Sequence, residues 1–254
     1  MCHELDSEPP IPRLAGAAIS HEDLVLEAAD GNQLAAFLAT PDRPSRVGVV
    51  VLPDVRGLYH FYEELALRFA ERGYAALAID YFGRTAGVAK RDEDFPAMEH
   101  MMTTTPEGVQ ADAAAAVAYL RSPAGGSREA IFTVGFCFGG ANSWLAAAGG
   151  HGLAGAVGFY GMPGPRGERP GPIDAVDRMQ APILALQGGA DDHITAEIND
   201  AFDAALSAAG VEHEVVTMAG APHSFFDRHQ PAFQAQSDEA WTRTLDFIDA
   251  HSKA

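Results

Sequence analysis

The chain has 254 residues, 47% of them hydrophobic, and a formal net charge of −18 from 35 acidic and 17 basic residues. This size and composition fit a globular α/β domain. The acidic excess argues against a nucleic-acid partner or an anionic membrane surface, since both attract basic proteins. No stretch approaches 18 consecutive apolar residues, so the sequence predicts no transmembrane helix.

The two cysteines, Cys2 and Cys137, form no disulfide framework, and the sequence contains no CxxC or HExxH metal pattern. The opening residues MCHELDSEPPIP lack the apolar core of a secretory signal. We therefore expect a cytoplasmic protein in a reducing compartment. We expect an irregular N-terminal segment over residues 1–20 and one domain over 21–254, present as a monomer or small homo-oligomer.

The first part of the chain alternates apolar runs with helix-like segments. Residues 23–39 predict two strands around a turn at Asp30 and Gly31. The run RVGVVVLP at 46–53 is typical of a strand that is buried on both faces of a parallel sheet. Residues 61–73 have helical spacing, and YAALAID at 74–80 predicts the next strand.

The rest of the chain repeats this alternation after a less regular stretch at 81–104. Thr105 as N-cap and Pro106 at the first helical position predict a helix that runs to 122. A Gly/Pro-rich loop is expected at 161–172. The remaining predicted elements are strands at 129–136, 153–161, 181–188 and 212–218 and helices at 138–148, 195–210 and 232–251.

Alternating strands and helices predict a mostly parallel central sheet with helices on both faces. In such sheets, ligands bind beyond the carboxyl ends of the strands. The loops that carry chemistry should therefore begin after Pro53, Asp80, Gly135, Gly188 and Met218.

The segment Gly135-Phe136-Cys137-Phe138-Gly139 lies between a predicted strand and a predicted helix. This is the glycine-flanked context of a nucleophile elbow. The helix N-terminus would favour a thiolate at Cys137. The alternative is that Cys137 is a small, inert core residue, as buried cysteines commonly are.

Downstream residues supply a general base and an acid in the chain order of this elbow. Asp191 follows one predicted strand and His223 follows the last. His223 would accept the thiol proton, and Asp191 would orient its imidazole. Asp191 has an alternative role as the N-cap of the helix from Thr195, and Asp192 competes with it as the acid. His223 is one of ten histidines, and a solvated role remains open for it.

The segments GFCFGG, GGADDHIT and APHSFFD, with LPDVRGL and IDYFGRTAG, resemble the dienelactone hydrolase (carboxymethylenebutenolidase) family of α/β-hydrolases. The resemblance runs from about Ser20 to the C-terminus. It implies the α/β-hydrolase fold and a cysteine nucleophile that opens an enol-lactone or similar ester through an acyl-enzyme. It implies no metal and no organic cofactor.

The resemblance also implies roles for further residues. Asp54 matches the position of a family glutamate that helps deprotonate the cysteine, and its side chain is one methylene shorter. Arg84 matches an arginine that binds the substrate carboxylate, although a solvated loop charge is the alternative. A second family arginine corresponds to Asp227, with Arg228 next to it, which indicates a substrate other than the usual dienelactone.

The oxyanion hole of an elbow of this type comes from backbone N–H groups. The expected donors are Phe138, directly after the nucleophile, and Val55, after the first central strand. Arg56 adjoins the second of these loops and would either bind an anion or pair with surface acids. The aromatic residues near these loops are expected to be core: Tyr81, Phe82, Phe136, Tyr160 and Phe225.

The sequence thus predicts a cysteine hydrolase for a small, anionic lactone or ester. A second interpretation keeps the triad but assigns a general carboxylester or thioester as substrate. A third assigns a non-catalytic binding or redox-sensing protein on a hydrolase scaffold, because the shorter Asp54 would activate Cys137 less.

Overall fold

A computed structural model describes residues 7–92, 94–227 and 232–252. Its centre is an eight-stranded sheet in the order β1-β2-β4-β3-β5-β6-β7-β8. The strands from β3 to β8 run parallel to one another, whereas β2 is antiparallel to both of its neighbours, β1 and β4. The predicted, mostly parallel α/β sheet is confirmed.

The elements follow one another in the alternation expected from the sequence. The strands are β1 (Ile19–Glu27), β2 (Gln33–Pro41), β3 (Val47–Leu52), β4 (Ala75–Ile79), β5 (Ala130–Phe136), β6 (Gly155–Phe159), β7 (Ile183–Gly188) and β8 (His213–Met218). The helices are α1 (His60–Glu71), α2 (Gly83–Ala86), α3 (Ala97–Thr103), α4 (Pro106–Arg121), α5 (Phe138–Ala147), α6 (Ala196–Ala209) and α7 (Gln234–His251), with a 3-10 helix at Pro172–Arg178.

Two hydrophobic cores lie on the two faces of the sheet. On one face, the aromatic residues of α1 and α7, including Phe69 and Trp241, pack against Val49 and Val51. On the other face, α4, α5 and α6 pack against the alternate residues Val50 and Leu52 of the same strand. Because successive strand residues point to opposite faces, a continuous apolar run such as β3 serves both cores.

The chain order reverses at the centre of the sheet. From β3 the chain moves to β4 on one side and then returns to β5 on the other side. Leu52 of β3 pairs in register with Gly135 of β5, so both strands end at the same level. Loops that leave neighbouring strands in opposite directions open a crevice at this switch point, where ligands of such sheets bind.

Several local expectations can be compared with the structure. Thr105 caps α4 as predicted, with its hydroxyl accepting from the Gly108 N–H at 3.1 Å. The stretch at 81–104, expected to be irregular, contains the short helices α2 and α3. Residues 7–18 contain no helix or strand. Cys2 and Arg228 lie outside the described residues. No helix among the described residues is long and apolar enough to cross a membrane.

Candidate active site

Cys137 occupies a strained turn between β5 and α5. Its backbone has φ 53° and ψ −109°, a region that residues with a side chain rarely adopt. Its N–H donates to the carbonyl of Phe159 at the end of the neighbouring β6, at 2.9 Å. The turn therefore holds the thiol at the carboxyl edge of the sheet, in the geometry of a nucleophile elbow.

The glycines on either side of Cys137 permit this sharp turn. A Cβ at Gly135 would lie 2.0 Å from the carbonyl oxygen of Gly139. A Cβ at Gly139 would lie 2.0 Å from the carbonyl oxygen of Leu52. No other residue type fits at these two positions without backbone movement. The α5 helix can therefore pack directly on β5 and on the end of β3.

The thiol of Cys137 lies at the N-terminal end of α5. Cys137 is a buried thiol, 6% exposed, and it is the N-cap residue of α5. A helix N-terminus carries about half a positive charge and unpaired N–H groups. Phe138 is the first residue of this helix, and Val55 lies in the loop after the adjacent strand β3.

Asp191 and His223 are in direct contact. The Nδ1 atom of His223 lies 2.6 Å from Oδ2 of Asp191. The other oxygen, Oδ1, accepts the N–H groups of His193 at 2.8 Å and Ile194 at 3.2 Å. Burial acts to raise the pKa of Asp191, but the hydrogen bonds from His223, His193 and Ile194 outweigh it and hold that pKa below its usual value. The imidazole therefore has an ionised carboxylate as its fixed partner.

The sequence left two other possibilities open: Asp191 as the N-cap of α6, and Asp192 as the acid in its place. Thr195, rather than Asp191, is the N-cap residue of α6. Asp192 and His193 are exposed on the surface.

The loops after β7 and β8 are joined by hydrogen bonds from Gly189 N to Met218 O and from Ala190 N to Ala221 O. These bonds fix the distance between the two loops that carry Asp191 and His223.

Tyr160 is a buried residue that contacts the ring of His223. It follows β6 directly and, like Cys137 and Ser224, has a positive φ, here 37°. Its ring lies 5.1 Å from the ring of His223. Burial raises the pKa of Tyr160 well above its usual value, and the charges of Asp227, Asp54 and Cys137 raise it further. Tyr160 thus lies within electrostatic range of Cys137 and in ring contact with His223.

Asp227, the position that the resemblance aligned with a second arginine, is a buried acid. Its side chain is fully buried, and its Oδ2 accepts the hydroxyl proton of Tyr160 at 3.1 Å. This position therefore presents no positive charge to a substrate. Tyr160, which the sequence predicted only as a core residue, forms this hydrogen bond. No pattern in the sequence indicated the contact.

Asp54 is fully buried in the loop after β3. Its Oδ1 accepts the N–H of Arg56 at 2.9 Å, and its own N–H donates to the hydroxyl of Tyr62 at 2.9 Å. The Arg56 Nε lies 3.8 Å from Asp54 Oδ2, and the Arg56 guanidinium lies 4.3 Å from the ring centre of Tyr59. Asp54 and Tyr59 therefore hold Arg56, whose binding partner the sequence had left open.

Arg84 is held by two carboxylates of its own chain. Its Nη1 donates to Asp112 Oδ2 at 2.6 Å, and its Nε and Nη2 donate to Asp30 Oδ2 at 3.1 and 2.7 Å. Asn32 donates to the other oxygen of the buried Asp112. The structure thus brings Arg84 to Asp30 and Asp112 instead of leaving its donors open. Its predicted role as a carboxylate clamp stays a prediction.

The fold and the residues at its carboxyl edge define an α/β-hydrolase with a cysteine at the elbow. The model of the dienelactone hydrolase family matches residues 34–252. The chain belongs to this family and is a hydrolase of the carboxylic ester and lactone class.

Individual relatives agree with this assignment. A Yersinia pestis protein assigned as a carboxymethylenebutenolidase is 29% identical over 87% of this chain and 85% of its own length. The carboxymethylenebutenolidase of Rhodococcus opacus is 27% identical over 99% of this chain and 97% of its own. A Klebsiella pneumoniae structure assigned as a dienelactone hydrolase superimposes with a TM-score of 0.79 at 25% identity, covering 91% of this chain and 99% of that one.

Proposed function

We propose that this hydrolase uses Cys137 as a nucleophile and cleaves a small ester or enol-lactone through a thioester acyl-enzyme. The observation that carries the proposal is the strained elbow at Cys137 together with the 2.6 Å contact between His223 and Asp191. A thiol on a helix N-terminus, a histidine and an orienting carboxylate are the parts that nucleophilic acyl transfer requires.

The reaction divides between these groups. His223 accepts the thiol proton, and the Cys137 sulfur attacks the substrate carbonyl to form a tetrahedral oxyanion. The N–H groups of Val55 and Phe138 bind that oxyanion. The C–O bond then breaks, and His223 returns the proton to the leaving oxygen. A water molecule, deprotonated by His223, attacks the thioester and releases the acid and the thiol.

Asp54 contributes through the loop that carries Val55. Its carboxylate accepts the N–H of Arg56, and its own N–H is held by Tyr62, so the backbone on both sides of Val55 is fixed. A fixed amide is what an oxyanion donor needs, because its value depends on being in place before the charge develops. We assign this role to Asp54 in addition to the activating role implied by the family.

The substrate in this proposal carries a negative charge, in line with the family. A neutral carboxylester or thioester is the second candidate, favoured by the occupied donors of Arg84 and by the acid at position 227. A panel of dienelactones and neutral aryl esters separates the two. Faster turnover of the neutral esters than of the dienelactones would support the second. We also propose that the enzyme is cytoplasmic and acts on small molecules, not nucleic acid, as a monomer or small homo-oligomer.

Substitution of the nucleophile tests the proposal. We expect Cys137→Ala to lower kcat on an aryl ester by about 10⁵- to 10⁶-fold, the loss typical of removing the nucleophile of a triad. Cys2→Ala is the matched control, because it removes the other cysteine of the chain, and it should retain wild-type activity. Full activity in Cys137→Ala would refute the proposal.

A further inference from the structure

A cavity of about 350 Å³ lies next to the nucleophile elbow. One wall is a single face of α5, formed by Phe138, Ala141, Asn142 and Leu145 at helical spacing. The wall begins at the residue that follows Cys137 and extends about 10 Å along the helix axis. The cavity is at the small end of the range for ligand pockets. Phe138, which directly follows Cys137, thus forms the part of the wall that lies nearest to the elbow in the chain.

The other walls of the cavity are mostly apolar and adaptable. They come from α3, the start of α4 and the loop after β6, and they include Met101, Met102 and Met162. Methionine side chains are flexible and fill irregular shapes, which suits a surface that meets alkyl groups of different lengths. The lining chemistry fits an apolar chain.

Two arginines form the charged part of the lining. Arg166 and Arg169 pair through two backbone hydrogen bonds of 3.0 and 3.1 Å, as opposite residues of a tight hairpin. Opposite residues of such a pair project to the same face, and like charges placed this way repel each other. Arg169 also donates to the carbonyl of Met102 at 2.9 Å, which holds it against the cavity.

The two cavity arginines differ from those arginines near the site that are bound to carboxylates. The chain has 35 acidic residues against 17 basic ones, and other arginines near the site, such as Arg84 and Arg91, pair with carboxylates. In the part of the chain that the structure describes, no carboxylate forms an ion pair with Arg166 or Arg169. Their guanidinium groups are therefore suited to bind a negatively charged group of a ligand in the cavity.

We propose that this cavity binds the acyl part of the substrate, an apolar chain that ends in a carboxylate, and that Arg166 and Arg169 bind this carboxylate. The inference rests on the hydrolase function proposed above and specifies its substrate class. It places the anion on the loop after β6 instead of at Arg84, and it separates the anion from the scissile carbonyl by an apolar segment.

The test compares two esters with acyl chains of six carbons, 4-nitrophenyl hydrogen adipate and 4-nitrophenyl hexanoate. We expect wild-type protein to prefer the adipate. The variant Arg166→Gln/Arg169→Gln should lower kcat/KM for the adipate by about tenfold, mainly through KM, and change the hexanoate by less than about twofold. The control Arg43→Gln/Arg178→Gln removes the same charge from two exposed arginines outside the cavity and should leave both esters unchanged.

Other outcomes overturn the inference. An equal loss for both esters would assign the arginines to folding, and an unchanged adipate rate would assign them no role. If the control variant lowered kcat/KM for the adipate as much as the test variant, the effect would come from the overall charge of the protein and not from the cavity. The proposed function is tested independently of these results: if it holds, Cys137→Ala must abolish hydrolysis of both esters.

Discussion

The loops after β5, β7 and β8 and the loops after β3 and β4 meet at one edge of the sheet, but their side chains behave differently. The first group provides Cys137, Asp191 and His223, and the acid and base lie in contact, 2.6 Å apart. The second group provides Asp54, which accepts the N–H of Arg56, and Arg84, which donates to Asp112 and Asp30.

This difference reflects how each residue is positioned. The Cys137 position is set by a backbone turn and two glycines, and the Asp191 and His223 positions by hydrogen bonds between adjacent loops. Arg84 has a long, flexible side chain, and its direction depends on Asp30 and Asp112, which are remote in sequence. Strand order therefore predicts the positions of residues that are fixed by the backbone at strand ends. It does not predict which residues a long side chain such as Arg84 will contact.

Among the variants that compare the two groups of loops, Asp191→Asn should have the largest effect. We expect Asp191→Asn to lower kcat by about 10⁴-fold with a small change in KM, because the amide stabilises neither the required imidazole tautomer nor its charged form. The exposed neighbour substitution Asp192→Asn is the control and should stay within about twofold. Steady-state kinetics on an aryl ester measures both. Equal losses in the two variants would mean that the contact seen at Asp191 is not the catalytic one.

A second effect tests whether the backbone holds the nucleophile. Gly139→Ala would place a Cβ 2.0 Å from the Leu52 carbonyl oxygen, so we expect a loss of about 3 kcal/mol in the free energy of unfolding. Gly210→Ala is the control: it has a φ of 71° but open space, and should cost about 1 kcal/mol. Urea unfolding compares them. A Gly139→Ala protein as stable as wild type would show that α5 is not packed this closely on β3.

A third, smaller effect concerns Arg84. Because its removal leaves the buried Asp112 carboxylate with Asn32 alone, we expect Arg84→Gln to lower the free energy of unfolding by about 1–2 kcal/mol. The double variant Arg84→Gln/Asp112→Asn should recover part of this loss. The value of kcat/KM should change by less than about threefold. A tenfold loss of kcat/KM for anionic esters with unchanged stability would instead assign Arg84 to substrate binding.

The smallest effect is a pH dependence at Asp191. Its pKa in the folded protein is below the usual 3.8, so the ionised form stabilises the fold above that pH. The contribution should disappear as the pH falls below 3.8 through the folded value, where the carboxylate takes up a proton. The stability of wild type relative to Asp191→Asn should therefore decrease on acidification. A constant difference between pH 6 and pH 3 would contradict the lowered pKa.

Much of the fold followed from local patterns. Continuous apolar runs such as 46–53 predicted central strands, and Thr105 with Pro106 predicted the start of α4. The helix α3 was not predicted, because its seven residues are too few for a clear apolar period and begin after Pro96 without a capping side chain. It is nevertheless part of the cavity wall through Met101 and Met102.

The candidate site also has a part that was predictable from the sequence and a part that was not. The elbow glycines and the order of Cys137, Asp191 and His223 were readable from the sequence, because they follow strand ends. The bond from Tyr160 to Asp227 and the pairing of Arg166 with Arg169 were not. Both depend on loops that meet only in the folded chain, and no spacing in the sequence predicts such contacts.

The central claim is that Cys137 forms a thioester with the acyl group of the substrate. Rapid mixing with an aryl ester, acid quenching and mass analysis of the peptides tests it directly. The account predicts an adduct with the mass of the acyl group on the peptide that contains Cys137, formed as fast as the first equivalent of phenol is released. Phenol release without any adduct, or an adduct on another residue, would contradict it.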